Sequence, residues 1–379
     1  MNMREELIAE IDVESLRSNI RQFSQHIRPA NIIGVVKADA YGHGAVPVAE
    51  VLLEEGVSVL AVAIVDEAVQ LREAGISAPI FILGKIWPTQ IEALFEYDLE
   101  VLIASRDDFD RLAAAAADQQ RELNIHLKID TGMGRLGFLY TEWQEDYQKI
   151  QSHPWLKLKG IMSHLATADD EDTSHIRRQA DRFAAIKRQV LETEPANPPH
   201  FHLANSAATL FYPELGYDMV RLGLSMYGMP PAPDRTLPFT LHQLLTLKAK
   251  IAYIKQFPAG YPVGYGSTYR TEANSTILVC PGGYEDGIPR RYGNSGEVLI
   301  HGKRFPIVGN VSMDTFMVDA FTEEVQIGEE VVILGRQGEE FISIWEMSEA
   351  LGVIPYEVTC GISQRVPRCY VDGDVKKTN

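Results

Sequence analysis

The chain has 379 residues, which is enough for two domains and a large hydrophobic core. Its 52 acidic and 35 basic side chains give a net charge of -17. This balance repels phosphate backbones and argues against binding to nucleic acid or to an anionic membrane.

The cysteines and the amino-terminal segment bear on the cellular compartment in which the protein is expected. Cys280, Cys360 and Cys369 have no metal-type spacing and predict a reducing environment without a structural disulfide. The segment 1–13 has no apolar core of signal-peptide length, and no run approaches the roughly 20 apolar residues that cross a bilayer. We therefore expect a cytoplasmic protein.

The first 240 residues alternate short apolar runs with helical patterns. Continuous rather than alternating apolarity predicts strands that are buried on both faces, as in a parallel sheet. Eight such strands separated by helices fit an α/β fold, a (β/α)8 TIM-like barrel, which typically takes about 250 residues. A doubly wound open sheet is the alternative, although no G-x-G-x-x-G follows the first strand. The predicted strands are 32–37, 59–64, 80–84, 99–105, 124–130, 158–164, 200–205 and 219–224.

Helix signals stand between these runs. Asp66 is expected to cap a helix that Gly75 ends, and Ser105 with Asp108 resembles a capping box. The segment 174–194 has the length and composition of a further helix.

From about residue 241 the pattern changes to β-rich segments with turn signals. We therefore predict two domains, a barrel over 1–240 and a C-terminal, mostly-β domain over 241–379. A polar, frayed tail is expected from 372 to 379. The β-rich segments are 245–257, 275–280, 296–320 and 330–334.

Polar residues lie at the carboxyl ends of the predicted strands, where barrel enzymes build their active sites. Lys37, His164, Asn205 and Arg221 lie within or at the ends of strands, and 130–135 directly follow one. An amine in the position of Lys37 can be desolvated, which lowers its pKa and makes it a nucleophile able to form a Schiff base. Most strand-end lysines are instead solvated caps.

Several motifs occur in order along nearly the whole chain: Val36 to Gly44 (VKADAYGHG), Lys128 to Gly137, His202 to Ser206, Arg221 to Gly223, Gly264 to Gly266, Ser312 to Asp314 and Pro355 to Glu357. Any one of them can arise by chance, but together they resemble the bacterial alanine racemase family. The resemblance implies an isomerase that uses pyridoxal 5'-phosphate (PLP) to interconvert L- and D-alanine. It also implies D-alanine supply for peptidoglycan and a homodimer with shared active sites.

The resemblance implies two catalytic bases, because racemisation removes the α-proton from one face and returns a proton on the other. Lys37 would bind PLP and serve the D-alanine face, and Tyr265 of the partner subunit would serve the L-alanine face. Ionising a phenol at neutral pH requires roughly 4 kcal/mol of stabilisation. An exposed ion pair supplies about 0–1 kcal/mol, so a buried network with His164 and Arg221 is expected to contribute. A core or interface tyrosine with a satisfied hydroxyl is the alternative.

Other residues would contact the cofactor. Arg221 would face the pyridine nitrogen and leave it unprotonated, because a guanidinium keeps its proton. A strand-end arginine paired with a carboxylate is the alternative. Ser206 would bind the phosphate or would merely cap the following helix. The remaining implied contacts are His164, Tyr41, the backbone amides of Gly223 and Leu224, and Tyr356.

The substrate carboxylate would meet Arg135 and the backbone N–H of Met313, the latter from the partner subunit. Lys128 matches a lysine that is carbamylated in some relatives, and a carbamate would orient Arg135; an unmodified lysine is the alternative. His43 is expected to hydrogen-bond its loop rather than act as a base. No H-E-x-x-H pattern occurs, and no catalytic metal is predicted.

Three other functions compete. A serine or broad-specificity racemase would share these residues and differ in pocket volume, where a methylene is worth about 1–3 kcal/mol. A fold-related PLP decarboxylase would carry a carboxylate at the pyridine nitrogen, which Arg221 argues against. A PLP carrier made of the barrel alone would leave the residues beyond 241 without a purpose.

Overall fold

The computed structural model describes residues 4–193, 195 and 197–372. Of the expected frayed tail, residues 373–379 lie outside the described part of the chain. The strands up to residue 240 are β1 Leu7–Asp12, β2 Asn31–Val35, β3 Val59–Val62, β4 Ile80–Ile82, β5 Glu100–Ile103, β6 Leu123–Asp130, β7 Phe138–Leu139, β8 Leu156–Met162, β9 His200–His202 and β10 Met219–Leu222. The helical segments there are α1 Val13–His26, α2 Lys37–Tyr41, α3 Ala45–Glu54, α4 Val65–Glu73, α5 Ile91–Glu96, α6 Arg106–Gln119, α7 Gln144–Ser152, α8 Ser174–Glu192 and α9 Ser206–Phe211.

Eight parallel strands form a nearly closed barrel in the order β10-β2-β3-β4-β5-β6-β8-β9. The two ends of this order meet through the N–H of Asp218, which donates to Phe201 O at 3.0 Å, and the N–H of Arg221, which donates to Ala204 O at 3.0 Å. The eight predicted strands and the barrel are confirmed, and the open doubly wound sheet is wrong. Most strands end one to three residues before the polar residues predicted at their carboxyl ends, so these polar residues lie in the segments that follow the strands.

The helix signals have mixed outcomes. Ser105 caps α6 by accepting from the N–H of Asp108 at 3.2 Å, as expected. Asp66 is not a cap, because it lies inside the first turn of α4. Glu67 serves instead, and its Oε2 accepts from the N–H of Ala63 at 2.7 Å and of Ile64 at 3.3 Å.

The second unit is mostly β. Its largest sheet has the order β17-β16-β19-β11-β1-β21 with β20 at the side of β19, and a separate sheet has the order β12-β15-β18. Its strands are β11 Leu245–Lys250, β12 Tyr253–Phe257, β13 Pro262–Val263, β14 Tyr269–Arg270, β15 Ser275–Pro281, β16 Glu297–Ile300, β17 Lys303–Pro306, β18 Thr315–Asp319, β19 Glu330–Gln337, β20 Glu340–Ile342 and β21 Arg368–Val371. Two helices, α10 Ile344–Leu351 and α11 Pro355–Gly361, are present that the sequence analysis did not predict.

The amino-terminal strand β1 belongs to the larger sheet of the second unit, where it pairs antiparallel with β11 and parallel with β21. The chain therefore begins in the sheet of the second unit before it forms the barrel. The domain boundary between residues 240 and 241 stays a prediction. Across the described ranges, no helix is long and apolar enough to cross a membrane.

Candidate active site

A cavity of about 540 Å³ opens at the carboxyl ends of the barrel strands. The second unit contributes to its wall through Trp345 and the segment 354–356. The structure brings together here eleven of the residues singled out from the sequence: Lys37, Tyr41, Lys128, Arg135, His164, Asn205, Ser206, Arg221, Gly223, Leu224 and Tyr356.

Lys37 follows β2 and is half-buried in the cavity wall. Within the described residues its Nζ has no hydrogen-bond or ion-pair partner. The backbone then makes a left-handed turn, with φ of 51° at Ala38, 51° at Asp39, 53° at Ala40 and 55° at Tyr41. Each non-glycine residue in this conformation costs roughly 1–2 kcal/mol, so contacts from elsewhere must hold the turn.

Side chains from three elements hold this turn. Glu67 Oε1 of α4 accepts from the N–H of Ala38 at 2.6 Å, and Asp39 Oδ1 accepts from the N–H of Ala45 at 2.7 Å. From β21, Arg368 Nε donates to Gly42 O at 3.1 Å and the Tyr370 hydroxyl donates to His43 O at 3.1 Å. The second unit thus supports the segment that follows Lys37.

His43 is fully buried inside the same loop. Its Nδ1 lies 3.0 Å from the carbonyl oxygens of Ala40 and Tyr41, and its ring stacks on Tyr227 at 4.7 Å between centroids. Burial lowers the pKa of His43 to about 4. The imidazole is therefore neutral, donates from Nδ1 and supports the loop, as expected from the sequence.

Arg221 is buried in the cavity wall, and within the described part of the chain it bonds only to neutral acceptors. Its Nη1 donates to His202 O at 2.8 Å and lies 3.1 Å from His202 Nδ1. Its Nη2 donates to Ser163 O at 2.7 Å and Leu203 O at 3.0 Å. Burial, helped by the charge of Arg135, lowers the pKa of Arg221 to about 9, so the guanidinium stays charged at neutral pH. The alternative that Arg221 pairs with a carboxylate is wrong, because no carboxylate of the described residues bonds to it.

His164 stands beside Arg221, whose Nη2 lies 3.3 Å from His164 Nδ1. Burial first, and then the charges of Arg221, Lys128, Arg135 and Lys37, lower the pKa of His164 to about 2. Because a guanidinium only donates, the neutral ring accepts at Nδ1 and carries its proton on Nε2.

Hydroxyl groups gather at another part of the cavity. Ser206 is the first residue of α9, but Asn205 caps that helix by accepting from the N–H of Ala208 at 3.0 Å. The interpretation of Ser206 as a helix cap is therefore wrong. Its hydroxyl accepts instead from the N–H of Gly223 at 2.9 Å.

The space between Gly223 and Tyr41 requires a glycine, because a Cβ at Gly223 would lie 2.5 Å from the Tyr41 hydroxyl. Neither that hydroxyl nor the Tyr356 hydroxyl has a hydrogen-bond partner among the described residues. The buried Ser225 hydroxyl likewise has none. Trp345 lines the cavity and was not singled out from the sequence.

The loop after β6 presents Arg135. Asp130 organises this loop, and its carboxylate accepts from the N–H groups of Gly132 at 2.7 Å, Met133 at 2.8 Å and Gly134 at 2.8 Å. Lys128 is buried in the strand just before it. Burial, followed by the charges of Arg221 and Arg135, lowers the pKa of Lys128 well below its usual value.

Tyr265 and Met313 are not brought into this cavity. Tyr265 is 73% exposed and Met313 is 50% exposed, both on loops of the second unit. The loop of Tyr265 is held by Asn310 Nδ2, which donates to Tyr265 O at 2.7 Å. A Cβ at Gly283 would clash with the carbonyl of Met313, so that loop is closely packed as well. Over the described ranges, no group of three or more His, Cys, Asp or Glu side chains is arranged to hold a metal ion.

The fold and the cavity define a barrel enzyme whose reactive groups stand at the carboxyl ends of the strands. A family model for the N-terminal domain of alanine racemase matches residues 11–231, and one for the C-terminal domain matches residues 244–370. The chain is 44% identical over 379 residues to the alanine racemase of Carboxydothermus hydrogenoformans, covering 96% of this chain and 99% of that protein. It is 43% identical over 365 residues to that of Halothermothrix orenii, covering 96% of each.

Solved structures agree with these matches. The alanine racemase from Bacillus anthracis with bound L-Ala-P superposes with a TM-score of 0.92 at 38% identity, covering 98% of this chain and 97% of that chain. The one from Bartonella henselae with covalently bound pyridoxal phosphate has a TM-score of 0.85 at 28% identity, covering 97% and 100%. The chain therefore belongs to the alanine racemase family. It is an amino-acid racemase, an isomerase, as the sequence motifs predict.

Proposed function

We propose that this racemase interconverts L-alanine and D-alanine with PLP bound in the central cavity. Lys37 is the observation that carries the proposal, because its Nζ is an unpartnered amine within the described residues at the wall of that cavity. The relatives add support, since one was solved with L-Ala-P and another with covalently bound pyridoxal phosphate. We further propose a cytoplasmic homodimer that supplies D-alanine for peptidoglycan, with the domain boundary between residues 240 and 241.

The donor groups of the cavity fit PLP. Lys37 offers an amine for covalent attachment, and the Nε–H of Arg221, unpartnered among the described residues, suits an acceptor such as the pyridine nitrogen. When bound, PLP supplies an electron sink for negative charge at the substrate α-carbon. The groups proposed to hold its phosphate are the hydroxyls of Tyr41, Ser206 and Tyr356 and the N–H groups of Gly223 and Leu224.

Two residues would move the α-proton from opposite faces. Lys37 Nζ would take or return it on the D-alanine face, and the hydroxyl of Tyr265 of the partner subunit would do so on the L-alanine face. Positioned acid–base groups of this kind contribute about 10²–10⁴-fold to a rate. The exposure of Tyr265 supports a shared site, because one chain alone lacks the second base.

His164 is proposed to stabilise the ionised form of that tyrosine. With Nδ1 occupied by Arg221, its Nε2–H is a donor available to a phenolate. The buried cation of Arg221 behind it adds favourable charge in a site of low dielectric constant.

Arg221 is proposed to keep the cofactor ring nitrogen unprotonated. A guanidinium that stays charged at neutral pH donates a hydrogen bond but not its proton. By leaving that nitrogen unprotonated, Arg221 would weaken the electron sink that PLP supplies and so limit transamination. Arg221→Glu should raise the pyruvate formed per D-alanine, and an unchanged ratio would count against this role.

Arg135 and the N–H of the partner's Met313 would hold the substrate carboxylate. Lys128 is proposed to carry a carbamate, since burial favours the uncharged amine, which is the form that adds carbon dioxide with release of a proton. The resulting anion would orient Arg135. Carbon NMR of the enzyme in labelled bicarbonate should show the adduct, and its absence would leave Lys128 unmodified.

The test of the function is an assay of the PLP-loaded enzyme with L-alanine in heavy water, using chiral separation and mass analysis. D-alanine with one deuterium at the α-carbon is expected, without carbon dioxide or accumulation of pyruvate. Released carbon dioxide would identify a decarboxylase instead, and bound PLP without turnover on alanine or serine would identify a carrier. Faster turnover of serine would identify a serine or broad-specificity racemase.

A further inference from the structure

A line of buried polar side chains runs through the barrel interior to Arg221. Glu100 of β5 has its Oε2 3.0 Å from His126 Nε2 of β6. His126 Nδ1 lies 3.0 Å from His202 Nε2 of β9, and His202 Nδ1 lies 3.1 Å from Arg221 Nη1. All four side chains are buried. We call Glu100, His126 and His202 the relay.

The backbone leaves room for this line at one point. Strand β8 lies between β6 and β9, and it has a glycine, Gly160, beside the two rings. A Cβ at Gly160 would clash with His126 Nδ1 and lie 2.9 Å from His202 Nε2. The glycine therefore permits a hydrogen bond between strands that are not neighbours.

The direction of the relay is fixed by its ends. Arg221 has only donors, so His202 accepts at Nδ1 and carries its proton on Nε2. That proton is donated to His126 Nδ1, which leaves the proton of His126 on Nε2 and directed at the carboxylate of Glu100. Burial lowers the pKa of both histidines, in agreement with two neutral rings.

Arg221 needs such a device because its cation is buried without an adjacent anion in the described part of the chain. Buried charges are normally paired, and a line of aligned hydrogen bonds is strengthened in a medium of low dielectric constant. The relay connects the cation to a carboxylate across the barrel. Phe81 stacks on His126 at 4.0 Å between centroids and covers the line.

We propose that Glu100, His126 and His202 are positioning residues that fix the orientation and charge of Arg221 through a one-way hydrogen-bond relay. The relay acts on the reaction through the role proposed above for Arg221, and to that extent it rests on the proposed function. A guanidinium held in place donates a hydrogen bond to the ring nitrogen and leaves it unprotonated. A displaced or more acidic guanidinium would allow the ring nitrogen to become partly protonated. The enzyme would then divert more turnovers to transamination.

The first test reads the tautomers directly. Nitrogen NMR of the holoenzyme and the apoenzyme, labelled with ¹⁵N-histidine, should show His126 and His202 protonated at Nε2 and bare at Nδ1. His126→Gln and His202→Gln variants assign the two signals. A proton on Nδ1 of either ring, or on both nitrogens, would overturn the relay whether or not the protein racemises alanine.

The second test reads the partition between products. Glu100→Gln keeps an acceptor but removes the charge, and Gly160→Ala places a methyl group between the rings. Each should raise pyruvate formed per D-alanine by about three- to tenfold, the size expected for one buried hydrogen bond. Phe81→Leu is the matched control, since it changes packing on His126 without removing a member of the line, and its ratio should stay at the wild-type value.

The two tests separate the two ideas. Because the product ratio is independent of how much enzyme is folded, a merely structural loss would lower activity and leave the ratio unchanged, which would overturn the positioning role. If Gly160→Ala does not fold, Glu100→Gln and the tautomers of the wild type still decide. A wild-type enzyme without racemisation would refute the proposed function, while the tautomer measurement would still judge the relay.

Discussion

The two halves of the site differ in exposure: Arg221 in the barrel is 5% exposed to solvent, whereas Tyr265 in the second unit is 73% exposed. The guanidinium is held by five hydrogen bonds, whereas the Tyr265 hydroxyl has none among the described residues. The cavity half of the site is therefore organised within one chain, and the other half is presented on the surface. If the site is shared as proposed, cofactor binding should depend on one subunit and racemisation on two.

Removing the attachment residue should abolish the cavity half. Lys37→Ala should lower racemisation by about 10³-fold or more, because the covalent hold and one base are lost together. Steady-state kinetics with added PLP measure this. Lys85→Ala is the control, since Lys85 also follows a strand but pairs with Asp107 at 3.1 Å outside the cavity wall. Equal losses in both variants would contradict the assignment.

Removing the exposed base should break the other half alone. Tyr265→Phe should lower racemisation by about 10²–10⁴-fold and leave PLP bound, as read from its visible absorbance. The α-proton of D-alanine should still exchange with solvent, because Lys37 remains. Tyr253→Phe, at a tyrosine 63% exposed on β12, should behave as wild type. Loss of PLP from Tyr265→Phe would place this residue in the cavity half.

Burial of His43 should make the cavity half acid-sensitive. Burial lowers the pKa of His43 from 6.5 to about 4. The polar neighbours of the ring are the carbonyls of Ala40 and Tyr41 and the side chain of Arg368. The unfolded chain therefore binds a proton first as pH falls. The contribution of neutral His43 to the free energy of unfolding is complete above the pKa of the unfolded chain. It declines as the pH falls towards the pKa of the folded protein, and about 2 kcal/mol is lost at pH 5.

The measurement is urea unfolding of the wild type and of His43→Gln at pH 7 and pH 5. The wild type should lose about 2 kcal/mol more than the variant between these values. Parallel losses in the two proteins would show that another group controls the acid sensitivity.

A smaller effect is expected where the second unit supports the turn after Lys37. Tyr370→Phe removes the hydrogen bond to His43 O and should cost about 1 kcal/mol of unfolding free energy. Chemical denaturation with Tyr253→Phe as the control measures this. No difference between the two variants would mean that Arg368 and Glu67 hold the turn without it.

Much of the cavity half could be predicted from the sequence. Buried parallel strands are continuous in apolarity, and Lys37, His164 and Arg221 are conspicuous where such runs end. The left-handed turn at 38–41 could not, because residues such as Ala38 and Ala40 favour a right-handed helix until distant side chains override that preference.

Pairings across long sequence distances were also beyond the pattern. Nothing local in Leu7–Asp12 indicates that this strand joins β11 and β21. Glu100 and His126 were visible as polar residues inside apolar runs, but only the barrel shows that they line up with His202. Contacts of this kind depend on the closed topology rather than on neighbouring residues.

Mixing Lys37→Ala with Tyr265→Phe tests the shared site most directly. After subunit exchange, half of the dimers are mixed, and each mixed dimer has one site with both Lys37 and Tyr265 intact. Each variant alone should be nearly inactive, and the mixture should recover about one quarter of wild-type activity. No recovery, with mixed dimers demonstrated by mass spectrometry, would contradict a site built from two chains.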